Sequence, residues 1–100
     1  MFNRLGMMTK KDILELLKEL IVCHDRTRLK LEYSDIHLSD TLDDLGFDSL
    51  DVTELAVYLE QKLEIKIKSS EIDNVMMNSD IEGLMNFLYQ RYKETREQEI

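Results

Sequence analysis

LGFDSLDVTELAVYLEQKLEIKI, residues 45–67, holds the clearest periodic pattern in the chain. Val52, Leu55, Ala56, Leu59 and Leu63 recur at i, i+3, i+4, i+7 and i+11, a spacing that lays apolar side chains along one stripe of an α-helix. The pattern predicts a helix over 49–64, opening after Gly46 and closed by Ile65 and Ile67. A helical wheel set on that stripe puts Leu50, Glu54, Val57 and Gln61 on the opposite face. Asp51, Glu60 and Glu64 flank the stripe, so the exposed face mixes apolar side chains with negative charge. Such a mixture suits a partner-docking surface, although single exposed Leu and Val residues are common on ordinary solvated helices.

Toward the N-terminus, Ile13, Leu16, Leu17, Leu20 and Ile21 repeat the helical rhythm, with Thr9 placed to cap and Asp12 near the positive helix end. A helix over 9–24 is predicted, and residues 1–8 read as a disordered leader in which Met7 or Met8 could be the true start. From Asp25 to Leu45 no helical period is visible, a longer run than the roughly 15 residues that compact domains leave unstructured. Leu29, Leu31 and Tyr33 alternate with Lys30 and Glu32, so part of this first loop is expected to run extended with side chains on the core. Toward the C-terminus, Ser69 or Ser70 can cap a short helix carrying Ile72 and Val75, and Asn78 or Ser79 can open a last helix. That helix carries Ile81, Leu84, Met85, Leu88 and Tyr92, with Gly83 costing it about 1 kcal/mol relative to alanine. One domain over 9–93, followed by a charged tail over 94–100, accounts for the chain. With no paired strand signals and no proline, the fold class is all-α: three longer helices and one short one, with a long first loop.

Composition narrows the function. The 21 acidic residues against 13 basic ones give a net charge of −8, which opposes binding to phosphate backbones or anionic membranes and favours basic protein partners. A single cysteine, Cys23, excludes an intramolecular disulfide and a CxxC pair, so a reducing cytoplasm is the default and a partly buried free thiol is expected. The apolar runs are too short and too interrupted by charge to span a membrane. The frame Asp43 to Glu54 has an acid at each end, but Leu45 and Phe47 fall where a calcium loop needs oxygen ligands and Asp48 where it needs glycine. No metal is expected.

Ser49 stands where the loop ends and the helix begins. A Ser or Asp there is ordinarily a helix cap worth about 1 kcal/mol. Asp48 can cap equally well, and if it does, the Ser49 hydroxyl is left free in the first turn. As a nucleophile of its own it lacks support, since no GxSxG elbow surrounds it and neither His24 nor His37 is near it in sequence. A hydroxyl modified by another enzyme needs only exposure and a docking surface beside it.

The run LDDLGFDSLDVTELAVYLEQKLEIKI, residues 42–67, resembles the central motif of the acyl carrier proteins, with Leu45, Gly46, Asp48, Ser49, Leu50, Glu54 and Leu55 in register together. The resemblance implies a four-helix carrier bundle without catalytic activity, loosely covering residues 9–92. It implies that Ser49 carries 4'-phosphopantetheine, donated by coenzyme A through a phosphopantetheinyl transferase, and that the arm's thiol holds acyl groups as thioesters for fatty acid, polyketide or related lipid synthesis. By the same resemblance Asp48, Asp51, Glu54 and Glu60 match acidic contacts for basic patches on acyl-transferring and synthase enzymes, and Leu50 and Val57 match apolar ones. A monomer docking fast, weakly and in a salt-sensitive way is expected. Gln61 where another acid is frequent, Lys68 for a common proline and the long charged loop leave a specialised carrier open beside the housekeeping one. An aminoacyl or peptidyl carrier, and an unmodified acidic docking module in which Ser49 is only a cap, are the alternatives.

Overall fold

Thr9 and Asp12 close the first turn of helix α1 (Lys10–Val22) reciprocally. The Asp12 amide donates to Thr9 Oγ1 at 3.2 Å and the Thr9 amide to Asp12 Oδ2 at 2.9 Å. The structure, a computed structural model, describes residues 8–24 and 32–98, with side chains through Arg96. Met8, expected in the leader, belongs to the folded body: it is buried, and its amide donates to the Tyr92 hydroxyl at 3.2 Å. Residues 1–7 lie outside the described residues, as do Leu29 and Leu31. Cys23, the α1 C-cap, is exposed rather than partly buried.

Three more helices follow: α2 (Ser49–Leu63), α3 (Ser69–Glu71), which passes into a π-helical turn (Ile72–Met76), and α4 (Ile81–Gln98). The expected all-α bundle of three longer helices and one short one is therefore present. Ile13, Leu17 and Ile21 of α1 meet Val52, Leu59 and Leu63 of α2 and Ile81, Leu84 and Leu88 of α4 in one core, each almost fully enclosed. Burial of each such side chain contributes roughly 1.5–3 kcal/mol before ordering costs.

The long first loop is ordered by other residues than the alternation suggested. Tyr33 lies in a 3-10 turn (Tyr33–Asp35) and is 47% exposed, so it does not face the core. Ile36, Leu42, Leu45 and Phe47 do, at 4% exposure or less. Gly46, at φ 90°, completes the tight turn in which the Phe47 amide reaches the Leu42 carbonyl at 2.9 Å. The loop also supplies acceptors to α4: the Ile81 amide donates to Asp40 O at 2.8 Å and the Glu82 amide to Leu38 O at 3.0 Å. These carbonyls satisfy first-turn amides that have no partner within the helix.

Helix starts in the second half differ from expectation for the same reason. Asp80, not Asn78 or Ser79, caps α4, its Oδ1 accepting from the Gly83 amide at 2.8 Å. A Cβ on residue 83 would come within 3.2 Å of Asp80 Oδ1 and of Ser79 Cβ, so glycine there makes room for the cap. Ser69 and Ser70 lie inside α3 rather than capping it, and Glu71 turns back to the Lys68 amide at 2.9 Å. Residues 94–98, expected as tail, continue α4, where Arg96 packs on Tyr92 and donates to Leu63 O at 2.8 Å.

Arg91 of α4 holds α3 in place. Its guanidinium donates to Lys66 O at 2.6 Å and grips both carboxylate oxygens of Glu71. Those hydrogen bonds hold the Glu71 carboxyl down to about 2, against the upward push of burial. The stabilisation is fully present above the ordinary value of 4.5 and is lost as pH falls toward 2. Glu71→Gln is expected to cost about 1–2 kcal/mol at neutral pH and to flatten the acid side of the stability profile. Urea unfolding at pH 7 and pH 3 checks this: the difference between the two proteins should shrink in acid, and a constant difference would refute it.

Candidate functional site

Asp48 takes the cap of α2. Its Oδ1 accepts from the Asp51 amide at 2.8 Å, and Asp51 Oδ2 accepts from the Asp48 amide at 3.0 Å. Ser49 is thereby released from capping. It occupies the first helical position, it is exposed, and its hydroxyl has no hydrogen bond among the described residues; only its carbonyl is engaged, by Thr53 Oγ1 at 2.9 Å.

Leu50 and Val57 stand out to solvent, at 55% and 46% exposure, as the helical wheel placed them. Tyr58, at 53%, adds an exposed aromatic ring that the wheel did not single out. Gln61 is exposed as well. The acidic half of the expected docking face differs. Asp48 is exposed, Glu54 is half-buried, and Glu60 is half-buried with Oε2 committed to the Ile67 amide at 2.8 Å. Asp51, expected among the docking acids, is 5% exposed and faces inward, because its carboxylate is the returning half of the capping box. The Asp48 amide, followed by the His24 ring, holds the Asp51 carboxyl below the usual carboxylate range against its burial.

His24 is the residue that sequence reasoning set aside and the fold brings in. It lies just beyond α1, stacks on Phe47 with ring centroids 4.7 Å apart, and places Nε2 2.9 Å from Asp51 Oδ1. Since Asp51 is a carboxylate, Nε2 is the donor. His24 therefore bonds Asp51 and not Ser49, and no Ser-His relay is formed. His37 pairs with Asp40 in the first loop, with Nδ1 3.4 Å from Oδ2. His24, Asp51 and Glu54 offer ligand atoms within 4.8 Å of one another, and two of these side chains are joined by the His24–Asp51 hydrogen bond.

The N-terminal end of α2 offers the positive pole of the helix dipole to an anion on Ser49, and the carboxylates of Asp48 and Asp51 offset part of it. The site can thus present a hydroxyl for modification beside an apolar and acidic face, and among the described residues no base is hydrogen-bonded to that hydroxyl to activate it.

Comparison with known proteins gives a concordant result. The family model described as the phosphopantetheine attachment site matches residues 26–88. The acyl carrier protein of Exiguobacterium sibiricum is 40% identical over 75 residues, covering 74% of this chain and 90% of that protein. The acyl carrier protein of Clostridium acetobutylicum is 33% identical over 72 residues, covering 69% and 86%. That of Campylobacter fetus is 46% identical over 43 residues, covering 43% of this chain and 56% of that protein.

Proposed function

Because the chain belongs to the acyl carrier protein family, carriers of covalent 4'-phosphopantetheine and not enzymes, we propose that Ser49 is the residue to which the arm is joined. The observation that carries this reading is the free Ser49 hydroxyl beside a cap made wholly by Asp48 and Asp51. Under a transferase, Ser49 Oγ attacks the phosphorus of coenzyme A that bears the pantetheine. A phosphodiester forms, the diphosphate bond breaks, adenosine 3',5'-bisphosphate leaves, and the serine proton passes to the transferase's base.

The carrier role implies a phosphopantetheinyl transferase and synthase enzymes as partners in general. Within that frame, Leu50, Val57 and Asp48, with Glu54 and Glu60 behind them, form the face that basic patches on those enzymes dock against. The cargo is an acyl thioester of fatty acid or related lipid synthesis, and the carrier works as a cytoplasmic monomer. Among the described residues no helix is long and apolar enough to cross a membrane.

Incubation with coenzyme A and a broad-specificity phosphopantetheinyl transferase tests the assignment. Intact mass should rise by one arm, and peptide mapping should put it on Ser49. An unchanged mass, or an arm on another residue, overturns it.

A further inference from the structure

Resting on the reading of Ser49 as the attachment residue, we propose that His24 is a positioning residue for arm transfer: it holds the Asp51 carboxylate turned away from Ser49. The two residues on which its ring acts bracket the serine in sequence. Phe47, before it, receives the stacked imidazole, and Asp51, after it, receives the Nε2 hydrogen bond. The His24 and Asp51 side chains are 12% and 7% exposed, so this bond lies largely out of water.

The bond is not needed to start α2. The Asp48–Asp51 box closes that turn by itself through two reciprocal amide bonds. It is not needed for packing either, since any ring or aliphatic group of similar size would cover Phe47. What imidazole adds is a donor for Asp51 Oδ1, and this matters for charge. Asp51 is ionised, and its second oxygen already serves the Asp48 amide. Without His24, Oδ1 would face an apolar ring with no donor, a costly position for a carboxylate oxygen. The carboxylate would pivot on its remaining bond to the Asp48 amide and carry Oδ1 outward, to the solvent side of the first turn of α2, where Ser49 acquires a phosphodiester. A second negative charge beside the reacting phosphate raises the barrier to transfer without touching Leu50 or Val57. Among the described residues the imidazole faces Asp51 and Glu54 of α2 and Phe47 of the loop, so the carboxylates it can redirect there lie on the serine's own helix.

The test is steady-state transfer from coenzyme A by a broad-specificity phosphopantetheinyl transferase, with this chain as the varied substrate and thermal melts alongside. His24→Phe, which keeps a stacked ring and loses the donor, should lower kcat about tenfold while KM changes less than about threefold. His24→Gln, which restores a donor, should return kcat to near that of the natural chain. In the His24→Phe background, Asp51→Asn should also restore it, because the amide keeps the capping acceptor and removes the charge. A kcat for His24→Phe equal to that of the natural chain overturns the proposal. So does a loss that neither His24→Gln nor Asp51→Asn repairs, the pattern of a merely structural role. Should His24→Phe unfold, His24→Asn, whose amide stops short of Asp51, takes the same comparison with the same criteria. Failure of the natural chain to take up an arm would instead sink the Ser49 assignment, so the two failures are distinguishable.

Discussion

Ser49→Ala is expected to abolish arm attachment while leaving the fold as stable as before. The two halves of this result test different things. Loss of the mass increase follows if the serine oxygen is the nucleophile, since no neighbouring hydroxyl occupies an equivalent position at the start of α2; Thr53 is tied to the Ser49 carbonyl. Unchanged stability follows because the cap belongs to Asp48. Alanine at the first helical position has higher intrinsic helix propensity than serine, so a shift within about 0.5 kcal/mol is expected. Asp48→Ala, by contrast, should cost about 1–2 kcal/mol through loss of the capping box. If Ser49 were only a cap in an unmodified docking module, the order would reverse, with Ser49→Ala as the destabilising change. Intact mass and urea unfolding of the two variants separate the readings.

A second large effect is expected on the exposed face of α2. Leu50→Asp and Val57→Gln should each lower kcat/KM for arm transfer about tenfold, and together about a hundredfold, because partner interfaces concentrate their free energy in a few apolar anchors. Both changes are compatible with the fold. An acid at the second helical position favours the helix dipole, and glutamine replaces a β-branched residue on an exposed face. The loss should appear in KM or kcat/KM, unlike the kcat effect expected at His24. Circular dichroism of the variants should match that of the natural chain, and unaltered transfer kinetics for the double variant would remove these residues from the docking face.

Most of the architecture was legible because it depends on local periodicity. The stripes of α1, α2 and α4 each appear within about 15 residues, and Thr9 and Asp12 announce the start of α1 by pattern alone. Where neighbouring residues compete for one role, the decision came from elsewhere in the chain. Asn78, Ser79 and Asp80 are all competent caps, and the Asp40 and Leu38 carbonyls set where α4 begins. The same holds at the site. A wheel gives the direction of Cβ, so it placed Leu50 and Val57 correctly, but Asp51 turns its carboxylate back to the Asp48 amide. His24 lies 27 residues from its partner, and the segment between them carries no pattern that would have paired the two. Tyr33 and the end of α4 were misread for a related reason, since alternation and charge in those stretches said nothing of the Leu63 carbonyl that Arg96 finds.

The inward-bent arginines of α4 have a consequence for how the molecule meets a partner. Arg91 and Arg96 are pinned to the Lys66 and Leu63 carbonyls, at the end of α2 remote from Ser49, where Lys62, Lys66 and Lys68 also lie. Asp43, Asp44, Asp48 and Glu54 crowd the opposite end. Glu64, Glu71 and Glu94 lie among those cations, and Arg91 is paired with Glu71 and Glu94, so among the described residues the end remote from Ser49 is of mixed charge while the serine end is acidic. A basic protein approaching in solution is attracted more strongly to the serine end than to the mixed end. The orientation that a loading or acylating enzyme requires is thus partly selected during diffusion, before any side chain of the two proteins has met.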